Sequence, residues 1–298
     1  MPLTLRSLQT QDCPQLATLL AQDHWPPDPR PLPDRLDRLY AWPDQVAFAA
    51  LEGDALLAVC QVQGVRLVAS DGYAMVQLLT MAPGAEQAQL AVLAHAKAWA
   101  FAAGYGRFRV RIDAGNDAAR THLTAAGLGQ HKAGYIFTRP LAANAATPPA
   151  PKPGVHIRPA HAGDAPAMAA LMPDLGYEST PADMARRYAA ICAWPENVVY
   201  LAEREGAVVG LCQVQGTRVL AGPDHAEVQA LVVAEAQQGH GIGRALLAQA
   251  AAWGWAQGYR DVRLGSGAHR TEAHLFYEGQ GYRKLPLSHA LEQRAPAV

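Results

Sequence analysis

Between residues 155 and 281 the apolar positions change period several times, and each change marks an element. The run 155–159 is short and strand-like, and Asp164 with Pro166 behind it reads as a helix start. Met168, Leu171, Met172 and Leu175 then follow at helical spacing. Pro181 and Asp183 open a second helix that reaches Cys192 and stops at Trp194-Pro195. The runs 198–202 and 208–214 are rich in β-branched residues, and Glu205-Gly206 between them marks a hairpin turn. A strand over 226–233, a helix over 241–255, a strand over 261–264 and a helix over 271–280, closed by Gly281, complete the series. The order β-α-α-β-β-β-α-β-α, with something short after it, predicts an α/β fold with a mixed, mostly antiparallel sheet flanked by helices.

The series occurs twice. Ala41-Trp42-Pro43-Asp44 returns as Ala193-Trp194-Pro195-Glu196, and Cys60-Gln61-Val62-Gln63-Gly64 as Cys212-Gln213-Val214-Gln215-Gly216. Asp12-Cys13-Pro14 returns as Asp164-Ala165-Pro166, and all three matches share a spacing of 152 residues. Beyond Pro83 and Glu235 the spacing becomes 154, which pairs Trp99 with Trp253 and Gly104-Tyr105 with Gly258-Tyr259. A unit this long is a domain rather than a solenoid repeat. Residues 142–153 are rich in Pro and Ala, which predicts an extended, semi-rigid linker. Two tandem domains are therefore expected, 1–141 and 154–298, the second ending in a short disordered tail.

Half of the 298 residues are hydrophobic and 17% are charged, which suits a globular chain with a sizeable core. The formal net charge is −1 and no dense Lys/Arg run occurs, so no nucleic-acid or membrane partner is expected. Cys13, Cys60, Cys192 and Cys212 form no CxxC pair and no metal-ligand spacing, so no metal site is expected. Free cysteines, the lack of a signal-peptide pattern and the lack of a long apolar run predict a cytoplasmic location. Oligomeric state is not encoded in any of this.

The chemistry lies after the strand Leu231-Val232-Val233. There Gln238-Gly239-His240-Gly241-Ile242-Gly243-Arg244 forms a glycine-rich turn that opens a helix. Glycines let backbone N–H groups approach a ligand, and a helix N-terminus favours anions, so the segment has the physics of a pyrophosphate cradle. A Walker loop needs Gly-Lys-Ser/Thr, whereas Gly243 precedes Arg244-Ala245, and a dinucleotide fingerprint from Gly241 needs a small residue where Leu246 stands. A plain tight strand-to-helix connection is the competing reading.

Gln238, Gly241 and Gly243 resemble the Gln/Arg-x-x-Gly-x-Gly/Ala signature of the GCN5-related N-acetyltransferase (GNAT) superfamily. The run from Ala273 through Tyr277 to Gly281-Tyr282 resembles that family's Asn-x-x-Ala-x-x-x-Tyr-x-x-x-Gly-Phe, with Arg270 at the Asn position. Glu235 likewise stands where a proline is frequent. The resemblance implies two tandem GNAT-like domains and acetyl-CoA, or another short acyl-CoA, as co-substrate. It assigns CoA contacts to the backbone of Leu231, Val232 and Val233, to the loop from Gln238 through Gly239, His240, Gly241, Ile242 and Gly243 to Arg244, and to Arg270. It implies Tyr277 as proton donor to the CoA thiolate. Glu227, eleven residues before Gln238, matches the general-base glutamate of the histone-acetyltransferase branch. Glu227 shares strand parity with Leu231 and Val233 if no bulge intervenes. For Tyr277 the plain alternative is a core residue, for Glu227 a solvated strand start; His225 is a second candidate base, and a water relay a third arrangement.

At the matching positions of the first copy Glu227 becomes Met75, Tyr277 becomes Leu123, and the loop is replaced by a glycine-free 85–89. Asn116 keeps the family's Asn, and Trp42, Gln61, Gln63 and Tyr105 also remain. The expected function is acyl transfer to a small-molecule or peptide amine in the second copy, with the first copy degenerate. The resemblance implies that the segment 175–187 lies on the acceptor side, where Tyr177, Glu178, Asp183 and the adjoining Tyr188 are available. The alternative from another class is a non-catalytic acyl-CoA-binding or scaffold protein.

Overall fold

The computed structural model describes residues 2–22, 25 and 28–296. The first copy runs β1 (Leu3–Ser7), α1 (Cys13–Ala21), α2 (Leu32–Tyr40), β2 (Gln45–Glu52), β3 (Ala55–Val65), β4 (Tyr73–Met81), α3 (Glu86–Ala102), β5 (Arg107–Asp113), α4 (Asp117–Ala125) and β6 (Gly129–Pro140). The second runs β7 (Val155–Pro159), α5 (Ala165–Ala170), α6 (Met172–Leu175), α7 (Pro181–Cys192), β8 (Asn197–Arg204), β9 (Ala207–Thr217), β10 (His225–Val233), α8 (Ile242–Ala256), β11 (Asp261–Gly267), α9 (Thr271–Gly279) and β12 (Arg283–Arg294). The helix expected over 165–175 is split at Leu171, because Pro173 has no N–H with which to continue α5. At the turn between β8 and β9, Glu205 and Gly206 both have positive φ, 53° and 78°, as a two-residue hairpin of this twist requires.

The C-terminal region departs from expectation. Residues 283–294 form a twelve-residue strand in the middle of the sheet, where a short piece and a disordered tail were expected. The twelve strands form one sheet in the order β1-β2-β3-β4-β5-β12-β6-β11-β10-β9-β8-β7. The last strand of each copy has crossed over: β12 pairs with β5 of the first copy, and β6 with β11 of the second. β12 and β6 also pair with each other, antiparallel, at the centre. The sequence halves and the structural halves therefore differ by one strand each. The stretch after β6 is also less extended than its composition predicts. It contains a 3-10 turn at Ala143–Ala146, and Ala145 packs on the core of the second copy.

Each copy has apolar cores on both faces of its part of the sheet. In the second, α8 covers one face through Ile242, Leu246 and Ala250 and α9 through Phe276 and Tyr277, and α5 and α7 cover the other through Met168, Met184 and Ile191. The cores interlock between copies. Val68 and Ala69, just after β3, are buried in the second copy's core, and Leu220 and Ala221, just after β9, in the first copy's.

The repeated glutamines make that exchange specific. Gln61 donates to the carbonyl of Arg218 at 2.5 Å and accepts from the N–H of Leu220 at 2.9 Å. Gln213 donates to the carbonyl of Arg66 at 2.6 Å and accepts from the N–H of Val68 at 3.0 Å. Gln63 and Gln215 donate to the carbonyls of Gly216 and Gly64. Trp42 and Trp194 meet edge to face across the same pseudo-two-fold, 5.6 Å apart. A buried amide without partners is costly, so four buried glutamines that all donate to the opposite copy, Gln61 and Gln213 with both ends of the amide paired there, fix one relative placement.

Candidate active site

β10 and β11 run parallel and pair only from Ala226–Val228 against Val262–Leu264. Beyond Val228 they diverge and open a wedge in the sheet. The divergence begins at an irregularity in the β10–β9 pairing, where Gln229 is the extra residue between Val228 and Ala230. Such a bulge turns the strand and shifts its side-chain parity. The parity expected for Glu227 is corrected accordingly. Glu227 lies opposite Gln215 and Ala230 opposite Gln213, on the face covered by α5 and α7. Leu231 and Val233 have turned to the other face, against α8 and α9. Val232 is core on the α5/α7 face, so its side chain is turned away from the α8 side of the wedge.

The glycine loop caps the α8 side of the wedge. A 3-10 turn at Glu235–Gln237 is held by Arg204 on the Gln237 side chain at 2.9 Å, and Gln238 donates to the carbonyl of Val233 at 3.3 Å. Gly239 and Gly241 have φ of 76° and 80°, a region in which other residues are strained. Gly241 is the N-cap of α8, so the first N–H groups of that helix face outward without intrahelical partners. His240 folds back, its Nδ1 3.0 Å from the carbonyl oxygen of Gln238. Ile242 is buried in the core, whereas Arg244 is exposed. A Cβ on Gly243 would stand 3.2 Å from Phe276 and 3.7 Å from Val233, so those side chains bound the cradle.

Lys152 was not a sequence candidate. Its side chain lies over Gly241, with Cε 3.4 Å from where a Cβ would be. A lone linker lysine carries no periodic or motif signal; only the fold of the chain after β6 brings it to the loop.

Tyr277 sits on α9 among Phe137, Phe276 and Tyr282, with ring centroids 5.3, 5.5 and 6.3 Å away. Burial pushes its hydroxyl above the usual phenol range, and nearby Arg270 opposes that rise. Arg270 itself occupies the N-cap position of α9 but makes no side-chain cap; its guanidinium donates to the carbonyl of Leu175 at 3.2 Å. In the first copy Asn116 does cap, accepting from the N–H of Ala119 at 2.9 Å. Tyr277 and Glu227 thus flank the wedge from opposite faces of the sheet.

Burial raises the Glu227 carboxyl above the usual carboxylate range, and Arg111, Arg263 and the Thr217 hydroxyl, 3.5 Å away, oppose the rise. His225 is the first residue of β10. It is buried, and burial together with Arg263 lowers its pKa well below the ordinary histidine value. It is therefore neutral near pH 7. No group of His, Cys, Asp and Glu with metal-holding geometry occurs among the described residues.

The fold has counterparts among known proteins. The model of the Acetyltransferase (GNAT) family matches residues 167–282, which spans α5 to α9 with the loop and Tyr277 inside it. A tandem GNAT protein from the clavulanic acid biosynthesis pathway, solved without AcCoA, superposes with a TM-score of 0.63 over 100% of both chains at 16% identity. The chain has the tandem GNAT fold. A GCN5-related N-acetyltransferase from Sphaerobacter thermophilus gives a TM-score of 0.62 at 19% identity, covering 99% of this chain and 97% of the other. A GCN5-related glucosamine N-acetyltransferase region of a fungal GH3 β-N-acetylglucosaminidase gives 0.59 at 12%, covering 98% of this chain and 38% of that one. No curated protein sequence matches the chain. Among the described residues no helix of this tandem GNAT fold is long and apolar enough to cross a membrane.

Proposed function

We propose that the chain is an acyl-CoA-dependent N-acyltransferase, acetyl-CoA being the preferred donor, and that the second copy does the chemistry. The observation that carries this reading is the bare, positive-φ backbone at Gly239 and Gly241 at the head of α8, beside the wedge between β10 and β11. In the first copy α3 begins at Glu86 after Ala85, with an acidic side chain in its first turn, which disfavours an anion there. The first copy is read as non-catalytic on that basis.

The loop 238–244 binds pyrophosphate through backbone N–H groups, and Lys152 adds a cation beside it. Leu231 and Val233 line the arm of the donor on the α8 side. The amine approaches from the α5/α7 side, where the Glu227 carboxylate takes its proton, directly or through a water, as the N–C bond forms. The C–S bond breaks, and Tyr277 gives its proton to the departing sulfur. A raised carboxyl pKa suits a base that must accept a proton near neutrality.

Calorimetry on the full chain tests the donor half of this reading. One acyl-CoA per chain is expected, and Gly241→Ala, which strains the φ of 80°, should weaken binding tenfold or more, about 1.4 kcal/mol. Two equivalent sites, or an unaffected variant, would overturn it.

A further inference from the structure

The first copy has kept its own wedge. β4 and β5 pair only at Ala74–Phe108 and Met75–Arg109, and Gln77, the counterpart of Gln229, sits at the matching irregularity. There the wedge is open as a cavity of ≈ 960 Å³. It runs from α4 of the first copy, through the gap between β4 and β5, to Glu227 and Arg263 of the second. In the gap Met75, Leu79 and Val110 supply an apolar wall, with Gln77 the polar residue beside them on β4.

The inner end carries an unusual set of charges. Glu227 and Arg263 are cross-strand neighbours on β10 and β11. Arg111 reaches in from β5, with one Nη 3.9 Å from where a Cβ of Gly265 would be. Gly265 lies two residues beyond Arg263 on the same face and has no side chain to fill the space between the arginines. Arg111 donates to the Ser288 hydroxyl at 3.0 Å. Arg263 has no hydrogen bond or ion pair among the described residues, and its Nε is buried without a partner. A half-buried guanidinium whose Nε is cut off from water and unpaired favours a bidentate anion, above all a carboxylate. A simple cationic amine would meet two guanidinium groups for one carboxylate, an unfavourable balance.

We propose that this cavity is the acceptor site and that its ligand is a zwitterionic amino acid with an apolar side chain. The carboxylate of the ligand lies between Arg111 and Arg263, its amine reaches Glu227, and its side chain extends into the gap against Met75, Leu79 and Val110. The inference rests on the acyl-transfer reading for what happens to the amine, but the binding itself does not depend on it. It gives the first copy a purpose: its emptied wedge receives the acceptor while the second copy's wedge receives the donor.

The test compares L-leucine, L-methionine and L-phenylalanine with their carboxylate-free analogues, 3-methylbutylamine, 3-(methylthio)propylamine and phenethylamine, on the full chain. Binding is read by calorimetry and turnover by thiol release from acetyl-CoA. The amino acids should bind at least tenfold more tightly than the analogues. Arg263→Gln and Arg111→Gln should each erase that preference while leaving acetyl-CoA affinity unchanged. Met75→Trp, which fills the gap, should weaken the amino acids without touching the loop. Retained melting temperature identifies variants that fold, and three variants at separate places guard against one that does not. Analogues that bind as well as the amino acids, or no amino acid binding at all, would overturn the proposal. If carboxylate-free amines are acetylated efficiently, the site is wrong and acyl transfer stands. If amino acids bind in an Arg263-dependent way and no thiol is released, the site stands and the transfer reading fails.

Discussion

Glu227 and Tyr277 carry opposite obligations, and substitution separates them. Because burial raises the Glu227 carboxyl in the folded state, its ionised form disfavours folding above that raised pKa, and its protonated form is favoured below it. Glu227→Gln should therefore raise the melting temperature at neutral pH while lowering kcat/KM by about a hundredfold. The acid limb of the pH–rate profile, displaced above the usual carboxylate range, should vanish with it. A melting temperature that falls, with the limb intact, would remove Glu227 from the chemistry. For Tyr277→Phe the ring contacts with Phe137, Phe276 and Tyr282 survive, so stability should barely move. Turnover should drop on the order of a hundredfold with acetyl-CoA affinity intact. Wild-type turnover in a stably folded variant would leave Tyr277 as packing. At this scale the glycine loop was legible, since positive φ and bare backbone are written in residue type. The side on which Glu227 stands was not, because the extra residue at Gln229 exists only in the pairing of β10 with β9.

Element order was readable from periodicity and punctuation, down to the Glu205-Gly206 hairpin. What the elements do to each other was less so. The repeated Cys-Gln-Val-Gln-Gly stood out as a repeat, yet nothing in it states that Gln61 and Gln213 reach across to the other copy's backbone. Amide partners that lie about 150 positions away leave no local pattern. Gln213→Leu keeps roughly the volume and strands the carbonyl of Arg66 and the N–H of Val68. Two stranded buried groups should cost about 2–5 kcal/mol in chemical denaturation. Gln61→Leu strands the carbonyl of Arg218 and the N–H of Leu220 and should cost the same within about 1 kcal/mol if the pseudo-symmetry is energetic as well as geometric. Losses under about 0.5 kcal/mol for both would mean that the apolar exchange of Val68 and Leu220 alone sets the interface.

At the scale of the whole chain, the sequence divides cleanly near residue 150 and the sheet does not. Strand register and partner choice depend on which faces become buried, and β6 and β12 read as acceptable strands for either copy. The fragment 150–298 lacks β6, so β11 loses its antiparallel partner and β12 both of its neighbours. Expressed alone it should associate or aggregate, and supplying 1–149 in trans should restore a soluble one-to-one complex, measurable by light scattering. A monomeric fragment with full activity would contradict the exchanged topology. The exchange also sets a timetable for synthesis. Edge β5 of the first copy stays open until residues 283–294 have left the ribosome, since β12 is the strand that closes it. Contacts this distant in sequence form slowly and expose unpaired strand edges meanwhile. The nascent first copy, its β5 complete at Asp113, must therefore wait with one edge bare until β12 has been made out to Arg294, through the synthesis of the entire second copy.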